Sequence, residues 1–91
     1  MYRIYGKNDC PACQTAKNIL IQKGYPVQFI DVALQENKDT LLAMLPGAKM
    51  VPQIFLNHTY IGSLPDLKNH LTFESDQGLN EDNGIKIQLN G

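Results

Sequence analysis

The feature that most constrains this chain is a pair of cysteines, Cys10 and Cys13, separated by two residues in the segment Cys10-Pro11-Ala12-Cys13. The sequence contains two cysteines in all, so a network of disulfides cannot hold a small secreted fold together. A bridge between these two would close a very short loop, which restricts the unfolded chain little and therefore adds little stability. The pair therefore indicates redox chemistry or metal binding.

Metal binding is the weaker of these two interpretations. One Cys-x-x-Cys pair supplies two ligands, whereas a closed zinc site usually has four. The two histidines, His58 and His70, are twelve positions apart, which does not match the usual spacing of zinc ligands. We predict that His58 lies in a turn and His70 on a polar helix face, and we expect no metal.

Composition restricts the remaining classes of function. A chain of 91 residues with 43% hydrophobic residues predicts one globular domain. Its formal net charge of −1 argues against nucleic acid as a partner, because phosphate binding favours a basic excess. No apolar run reaches the length of a membrane span, and residues 1–5 do not form the apolar region of a secretory leader. We therefore expect a soluble, cytoplasmic monomer.

The hydrophobic pattern predicts an α/β fold with a four-stranded mixed sheet flanked by three helices. Strands are predicted at 2–5, at 27–32, at 53–56 and from Tyr60 onward. Helices are predicted from Pro11 to Gly24, over 37–45, and after a capping box formed by Ser63 and Asp66. A helix between the first two strands implies a parallel right-handed crossover, and the short 57–59 turn implies an antiparallel hairpin. We expect the largely apolar strand 27–32 to be interior.

Residues 74–91 differ from the rest of the chain. They are polar, acidic and rich in turn-forming residues, so we predict a domain over 1–73 and a C-terminal tail over 74–91. The alternation of Ile85, Ile87 and Leu89 would also suit one extra strand at 85–89.

The spacing of the cysteines gives them different roles in thiol–disulfide exchange, in which the attacking group is a thiolate. Cys10 lies at the predicted start of a helix, where unpaired N–H groups and the helix dipole favour negative charge. Lys7 adds a positive charge three residues earlier. Cys13 lies one turn deeper, where it can attack a mixed disulfide formed at Cys10. We therefore predict that Cys10 is the nucleophile and Cys13 the resolving thiol.

Three motifs together resemble a known family. They are Cys10-Pro11-Ala12-Cys13 after a strand ending in Gly6-Lys7, Val51-Pro52-Gln53-Ile54-Phe55 about forty residues later, and Ile61-Gly62 before a helix. With these motifs at this spacing, residues 1–72 resemble glutaredoxin. The resemblance implies a thioredoxin fold in which Pro52 is a cis proline facing the cysteines, and in which the Val51 main chain binds a peptide or glutathione as a strand would.

The same resemblance implies a substrate site and a function. Lys7 matches a lysine that helps to bind the glycyl carboxylate of glutathione, and Gly62 matches the first glycine of a Gly-Gly segment. The substrate-binding residues implied are Lys7, Pro11, Ala12, Val51, Pro52, Gly62, Ser63 and Asp66. The function implied is reduction of protein disulfides and glutathione mixed disulfides, with glutathione as the reductant and ribonucleotide reductase as a client.

The chain also departs from the family pattern, and the departures leave two alternatives open. Ala12 replaces the usual tyrosine, Met50 replaces the usual threonine, and Ser63-Leu64-Pro65-Asp66 replaces the second glycine and the acid that follows it. The segment Gly62 to Asp66 is similar to glutaredoxin-like redoxins that serve ribonucleotide reductase and are reduced by thioredoxin reductase. The other alternative is a carrier that holds an iron–sulfur cluster between two subunits with glutathione as a ligand.

Overall fold

The computed structural model of the protein describes residues 1–79, with side chains for residues 1–72. The elements follow one another as β1 (Tyr2–Gly6), α1 (Pro11–Gln22), β2 (Val27–Asp31), α2 (Gln35–Met44), β3 (Gln53–Leu56), β4 (Thr59–Gly62) and α3 (Leu64–Leu79). This is the predicted order. None of the helices in the described part of the chain has both the length and the apolar character needed to cross a membrane.

The four strands form one mixed sheet in the order β2-β1-β3-β4. β1 pairs with β2 in parallel and with β3 in antiparallel orientation, and β3 pairs with β4 as an antiparallel hairpin. The predicted parallel pairing across α1 and the predicted hairpin are therefore confirmed. The order also places the end of β1, which leads to Cys10, beside the start of β3, which follows Val51 and Pro52.

The prediction that strand 27–32 is interior is wrong, because β2 lies at an edge of the described sheet and pairs there with β1. Its apolar residues have a different cause. Phe29 packs against the core on one face of the sheet, and Ile30 packs against the core on the other. A strand covered by helices on both faces is apolar throughout, whether it has one neighbouring strand or two.

Two core clusters lie on opposite faces of the sheet. The first joins the sheet to α1 and α3 and consists of Tyr2, Ile4, Ala16, Leu20, Ile54, Leu67 and Leu71. The second joins the sheet to α2 and consists of Tyr5, Val32, Leu41 and Phe55. Because side chains alternate along a strand, Ile4 and Tyr5 enter different clusters. The result is a sheet between two helical layers, as the alternation of strands and helices predicts.

α2 begins at Gln35, two residues before the predicted start at Asn37. Asn37 is a good capping residue, but its side-chain Nδ2 donates to the carbonyl of Asp31 at 2.9 Å. The carbonyl of Leu34 instead accepts the first helical bonds, from the N–H groups of Asn37 and Lys38. The Asn37 side chain therefore binds the end of β2 and does not cap α2.

α3 begins as predicted, one residue after Ser63. The Ser63 N–H donates to Asp66 Oδ2 at 2.9 Å, which is the carboxylate half of a capping box. The helix continues to Leu79, so residues 74–79 are helical although they fall in the predicted tail. The predicted strand at 85–89 lies outside the described residues, and the division of the chain at residue 73 stays a prediction.

Candidate active site

Cys10 is the N-cap residue of α1. Its Sγ accepts a hydrogen bond from the Cys13 N–H at 3.2 Å, and Pro11 occupies the first helical position, where the absence of an N–H costs nothing. The sulfur is partly exposed. A partly exposed sulfur that caps a helix is a favourable site for a thiolate, because the cap bond and the helix dipole both stabilise negative charge.

The segment before β3 lies against this sulfur. The Cys10 thiol donates to the Val51 carbonyl at an Sγ–O distance of 3.9 Å, and the peptide bond between Val51 and Pro52 is cis, as the resemblance implies. Pro52 is buried, whereas Val51 is partly exposed. A disulfide that approaches Cys10 therefore meets the Val51 main chain on one side of the reacting sulfur.

Cys13 has the character expected of a resolving thiol. Its side chain is 0% exposed, and burial, followed by its hydrogen bond with Cys10, raises the pKa of Cys13 to about 11. A Cβ added at Gly6 would lie 2.8 Å from Cys13 Sγ, so a glycine at the end of β1 allows the sulfur to pack directly against the strand. Near neutral pH Cys13 is therefore protonated, and its sulfur is shielded from solvent.

Because the pKa of Cys13 is raised, the two thiols should be labelled to different extents by an alkylating reagent that is applied briefly over a series of pH values. With a pKa of about 11, roughly one Cys13 in a thousand is a thiolate at about pH 8. Iodoacetamide reacts with thiolates, so it should modify the partly exposed Cys10 at that pH and leave Cys13 unmodified. Labelling of Cys13 should rise about tenfold per pH unit towards about pH 11. Peptide mapping by mass spectrometry measures both, and equal labelling at about pH 8 would contradict the assignment.

A groove of about 590 Å³ is lined by Lys7 and by Val51, the residue whose carbonyl contacts Cys10 Sγ. The turn between β2 and α2, α2 itself and the segment before Val51 form the rest of the wall. They supply two more lysines, Lys38 and Lys49. None of the described residues that line the groove is an aspartate or a glutamate. We call this the lysine groove. It presents three positive charges and therefore suits an anionic ligand.

The other residues of the predicted substrate site lie elsewhere. Pro11 is exposed and Ala12 half-buried at the first turn of α1, next to the sulfur. Gly62 pairs with Ile54 at the end of β4. Asp66 Oδ2 accepts hydrogen bonds from both the N–H and the Oγ of Ser63, and Asp66 lines a separate groove beside β4. The lysine groove does not include Gly62, Ser63 or Asp66, so their part in binding stays a prediction.

Gly62 has a structural reason of its own to be glycine. Its φ is +127°, a backbone conformation that residues with a Cβ rarely adopt. An added Cβ would also lie 2.7 Å from the carboxyl carbon of Asp66. The turn from β4 into α3 therefore requires glycine at this position, independently of any ligand.

Four residues of the site were missed in the sequence. Lys38 and Lys49 are exposed lysines like any others until α2 is folded beside Val51. The sequence pattern places Gly6 at the end of the first strand and gives it no role; a glycine where a strand leads to a Cys-x-x-Cys pair four residues later is the signal of its close contact with Cys13. Gln53 is predicted only as a strand residue, and a glutamine in an otherwise apolar strand is the signal that it has specific partners. Among the described residues, no group of three or more histidine, cysteine, aspartate or glutamate side chains could hold a metal ion.

Comparisons with known proteins agree with this geometry. A family model described as Glutaredoxin matches residues 3–61. Glutaredoxin 3 of Escherichia coli K12 is 36% identical over 64 residues, which cover 70% of this chain and 77% of that protein. Glutaredoxin 1 of Rickettsia typhi is 35% identical over 68 residues, which cover 72% of this chain and 65% of that protein, a little under two thirds of its length.

Solved structures have the same fold. The solution structure of glutaredoxin from Brucella melitensis matches with a TM-score of 0.66 at 29% identity and covers 86% of this chain and 85% of that one. The structure of reduced Escherichia coli glutaredoxin matches with a TM-score of 0.69 at 26% identity and covers 82% of this chain and 96% of that one. The thioredoxin fold that the resemblance implies is confirmed.

Proposed function

Since this chain belongs to the glutaredoxin family and is a thiol–disulfide oxidoreductase, we propose that it takes its electrons from glutathione and reduces protein disulfides and glutathione mixed disulfides. The observation that carries the proposal is the lysine groove, whose lining includes Val51, the residue with its carbonyl 3.9 Å from Cys10 Sγ. An anionic thiol bound there would have its sulfur next to Cys10.

The charge and length of the groove suit glutathione. Glutathione is a tripeptide with its thiol in the middle, a carboxylate at each end and one ammonium group. With its cysteine beside Cys10, one carboxylate would lie near Lys7, Lys38 or Lys49. A charge pair between a lysine and this carboxylate would contribute about 0.2–1 kcal/mol, as is typical of partly exposed pairs. Contributions of this size favour an anion without making its release slow.

The Val51 main chain would orient the same ligand. In many peptide-binding proteins, an extended ligand pairs with an exposed main-chain segment through its N–H and C=O groups. Val51 is partly exposed beside Cys10, and its carbonyl faces the sulfur. Pairing with the cysteine of glutathione would hold the ligand's sulfur in place for exchange, and a client peptide would use the same contact.

One observation favours the alternative, in which thioredoxin reductase supplies the electrons. The γ-glutamyl end of glutathione needs donors and an acid beyond Pro52. In this chain, the Asp66 carboxylate is already bonded to Ser63, and Pro65 has no N–H to donate. A protein reductase would not need these groups, because it would dock on a larger surface.

Turnover of a small mixed disulfide decides between the two donors. With glutathione, glutathione reductase and NADPH, we expect sustained oxidation of NADPH. If that system gives no turnover while thioredoxin reductase with NADPH does, glutathione is not the reductant and the proposal fails.

Groove variants test the binding site itself. Replacing both Lys38 and Lys49 by glutamine removes two charges and keeps the length of each side chain. We expect the KM for glutathione to rise about tenfold with little change in kcat, because each lysine contributes up to about 1 kcal/mol to binding. Lys68→Gln, on α3 and outside the groove, is the matched control and should leave KM unchanged. An unchanged KM in the double variant would place glutathione elsewhere.

The remaining parts of the proposal concern the cellular role. We propose that the protein acts as a monomer in the cytoplasm, because the glutathione pool of that compartment keeps a cysteine pair reduced. We propose ribonucleotide reductase as the client. Reduction of its oxidised form by this protein with glutathione, glutathione reductase and NADPH is the assay that checks it.

A further inference from the structure

Gln53 is a buried polar side chain next to the active site. Within residues 1–72 it is the one polar side chain that the fold buries, with 6% of its surface exposed. A buried amide that lacks partners is costly, but both ends of this one are paired. Its Nε2 donates to the Met50 carbonyl at 3.0 Å, and its Oε1 accepts from the Tyr60 hydroxyl at 2.6 Å.

These bonds connect the two ends of the segment that faces Cys10. Met50 and Gln53 flank Val51 and Pro52, so the bond from Gln53 to Met50 closes the segment across its base. The Val51 carbonyl, 3.9 Å from Cys10 Sγ, lies within this closed segment. Movement of the Met50 main chain would therefore move the group that a substrate's main chain meets.

The Met50 carbonyl fixes the orientation of the amide. Because a carbonyl only accepts, the amino group of Gln53 must point to it, which leaves Oε1 to accept from the Tyr60 hydroxyl. A reversed amide would place two oxygens against each other at Met50 and remove the acceptor from Tyr60. The Tyr60 ring is itself held by the ring of Phe55, with centroids 5.3 Å apart, so β4 supports the segment through two residues.

We propose that Gln53 and Tyr60 are positioning residues for thiol–disulfide exchange: they hold the Val51 main chain where it aligns a peptide disulfide with Cys10. Neither side chain touches the reacting sulfur. The inference depends on exchange at Cys10 and not on which donor reduces the protein, so it stands or fails separately from the role of glutathione.

The test compares two reagents that share one leaving group. One is a short cysteine peptide joined through a disulfide to thionitrobenzoate, and the other is mercaptoethanol joined to the same group. In each, the Cys10 thiolate attacks the sulfur of the peptide cysteine or of mercaptoethanol. A disulfide bond forms between Cys10 and that sulfur, the bond to thionitrobenzoate breaks, and thionitrobenzoate leaves with the electron pair. Its absorbance reports this first step alone. Only the peptide has a main chain that can pair with Val51.

We expect Tyr60→Phe to lower the second-order rate constant for the peptide reagent by roughly threefold to tenfold, the effect of losing one net hydrogen bond. The rate constant for the mercaptoethanol reagent should stay within about twofold of the unmodified protein. Tyr25→Phe is the matched control. Its ring packs against Tyr2, away from Cys10, and both rate constants should be unchanged.

A second variant tests the amide directly. Gln53→Glu keeps an oxygen for the Tyr60 hydroxyl but cannot donate to Met50 when ionised, so the peptide-specific loss should be at least as large as that of Tyr60→Phe. Thermal unfolding of each variant separates this loss from unfolding. If the variant does not fold, Tyr60→Phe decides, because it keeps the ring. Equal losses with both reagents, or no loss with the peptide, would overturn the proposal.

Discussion

Replacing Cys10 by serine is expected to abolish every reaction of this protein, with a loss of more than about a thousandfold, as is typical when a covalent nucleophile is removed. A serine hydroxyl does not attack disulfides under conditions in which a thiolate does. Cys13 cannot substitute for it, because Cys13 is fully buried and its pKa is raised to about 11. Turnover of both a protein disulfide and a small mixed disulfide measures the loss.

The structure predicts that this variant keeps its fold. Cys10 is the N-cap of α1, and serine is among the best residues for that position. The melting temperature should therefore hardly change, which separates loss of chemistry from loss of structure. Cys10→Ala provides the comparison, because it should lose the same activity and also about 1 kcal/mol of stability with the cap. Residual turnover in both variants would mean that Cys13 can attack substrates directly.

The second large effect is expected for Cys13→Ser, and it should depend on the substrate. Reduction of a protein disulfide needs Cys13 to attack the mixed disulfide at Cys10 and release the client, so we expect this activity to fall by at least about a hundredfold. Exchange with a glutathione mixed disulfide needs Cys10 alone, since a second glutathione can release the product. That activity should stay within a few-fold of the unmodified protein.

One further measurement and one further variant test this prediction. Mass spectrometry of Cys13→Ser after incubation with an oxidised client should detect a stable complex linked through Cys10. Cys13→Ala should behave in the same way in both assays and avoids a new hydroxyl in the fully buried site, where an unpaired polar group costs about 1–3 kcal/mol. Equal loss of both activities in both variants would contradict the division into nucleophile and resolving thiol.

The sequence was sufficient to predict what depends on neighbours along the chain. The strand, the turn and the helix around the cysteines follow from local pattern, whereas the pattern left the helix cap open between Asp9 and Cys10. The carboxylate of Asp66 accepts a hydrogen bond from the Ser63 N–H, as the spacing of the capping box predicts. The resemblance to glutaredoxin also predicted the cis peptide bond before Pro52.

What depends on distant contacts could not be predicted in this way. β2 is apolar because helices cover both its faces, and the pattern does not distinguish this from an interior strand. Lys38 and Lys49 meet in one groove only because α2 packs beside the segment before β3. The pair of Gln53 and Tyr60 joins two strands of a hairpin, and nothing in the local sequence indicates which partner a buried amide will find.

The complete burial of Cys13 also determines the atom at which the two substrates can react. Once the two cysteines are joined, an incoming thiolate must attack one sulfur from the side opposite the other. Cys10 is partly exposed and Cys13 is not, so the attack falls on Cys10 and expels Cys13. The oxidised client and the electron donor therefore react at the same atom, in alternate half-reactions. Such an enzyme follows ping-pong kinetics, and an excess of either substrate delays the other.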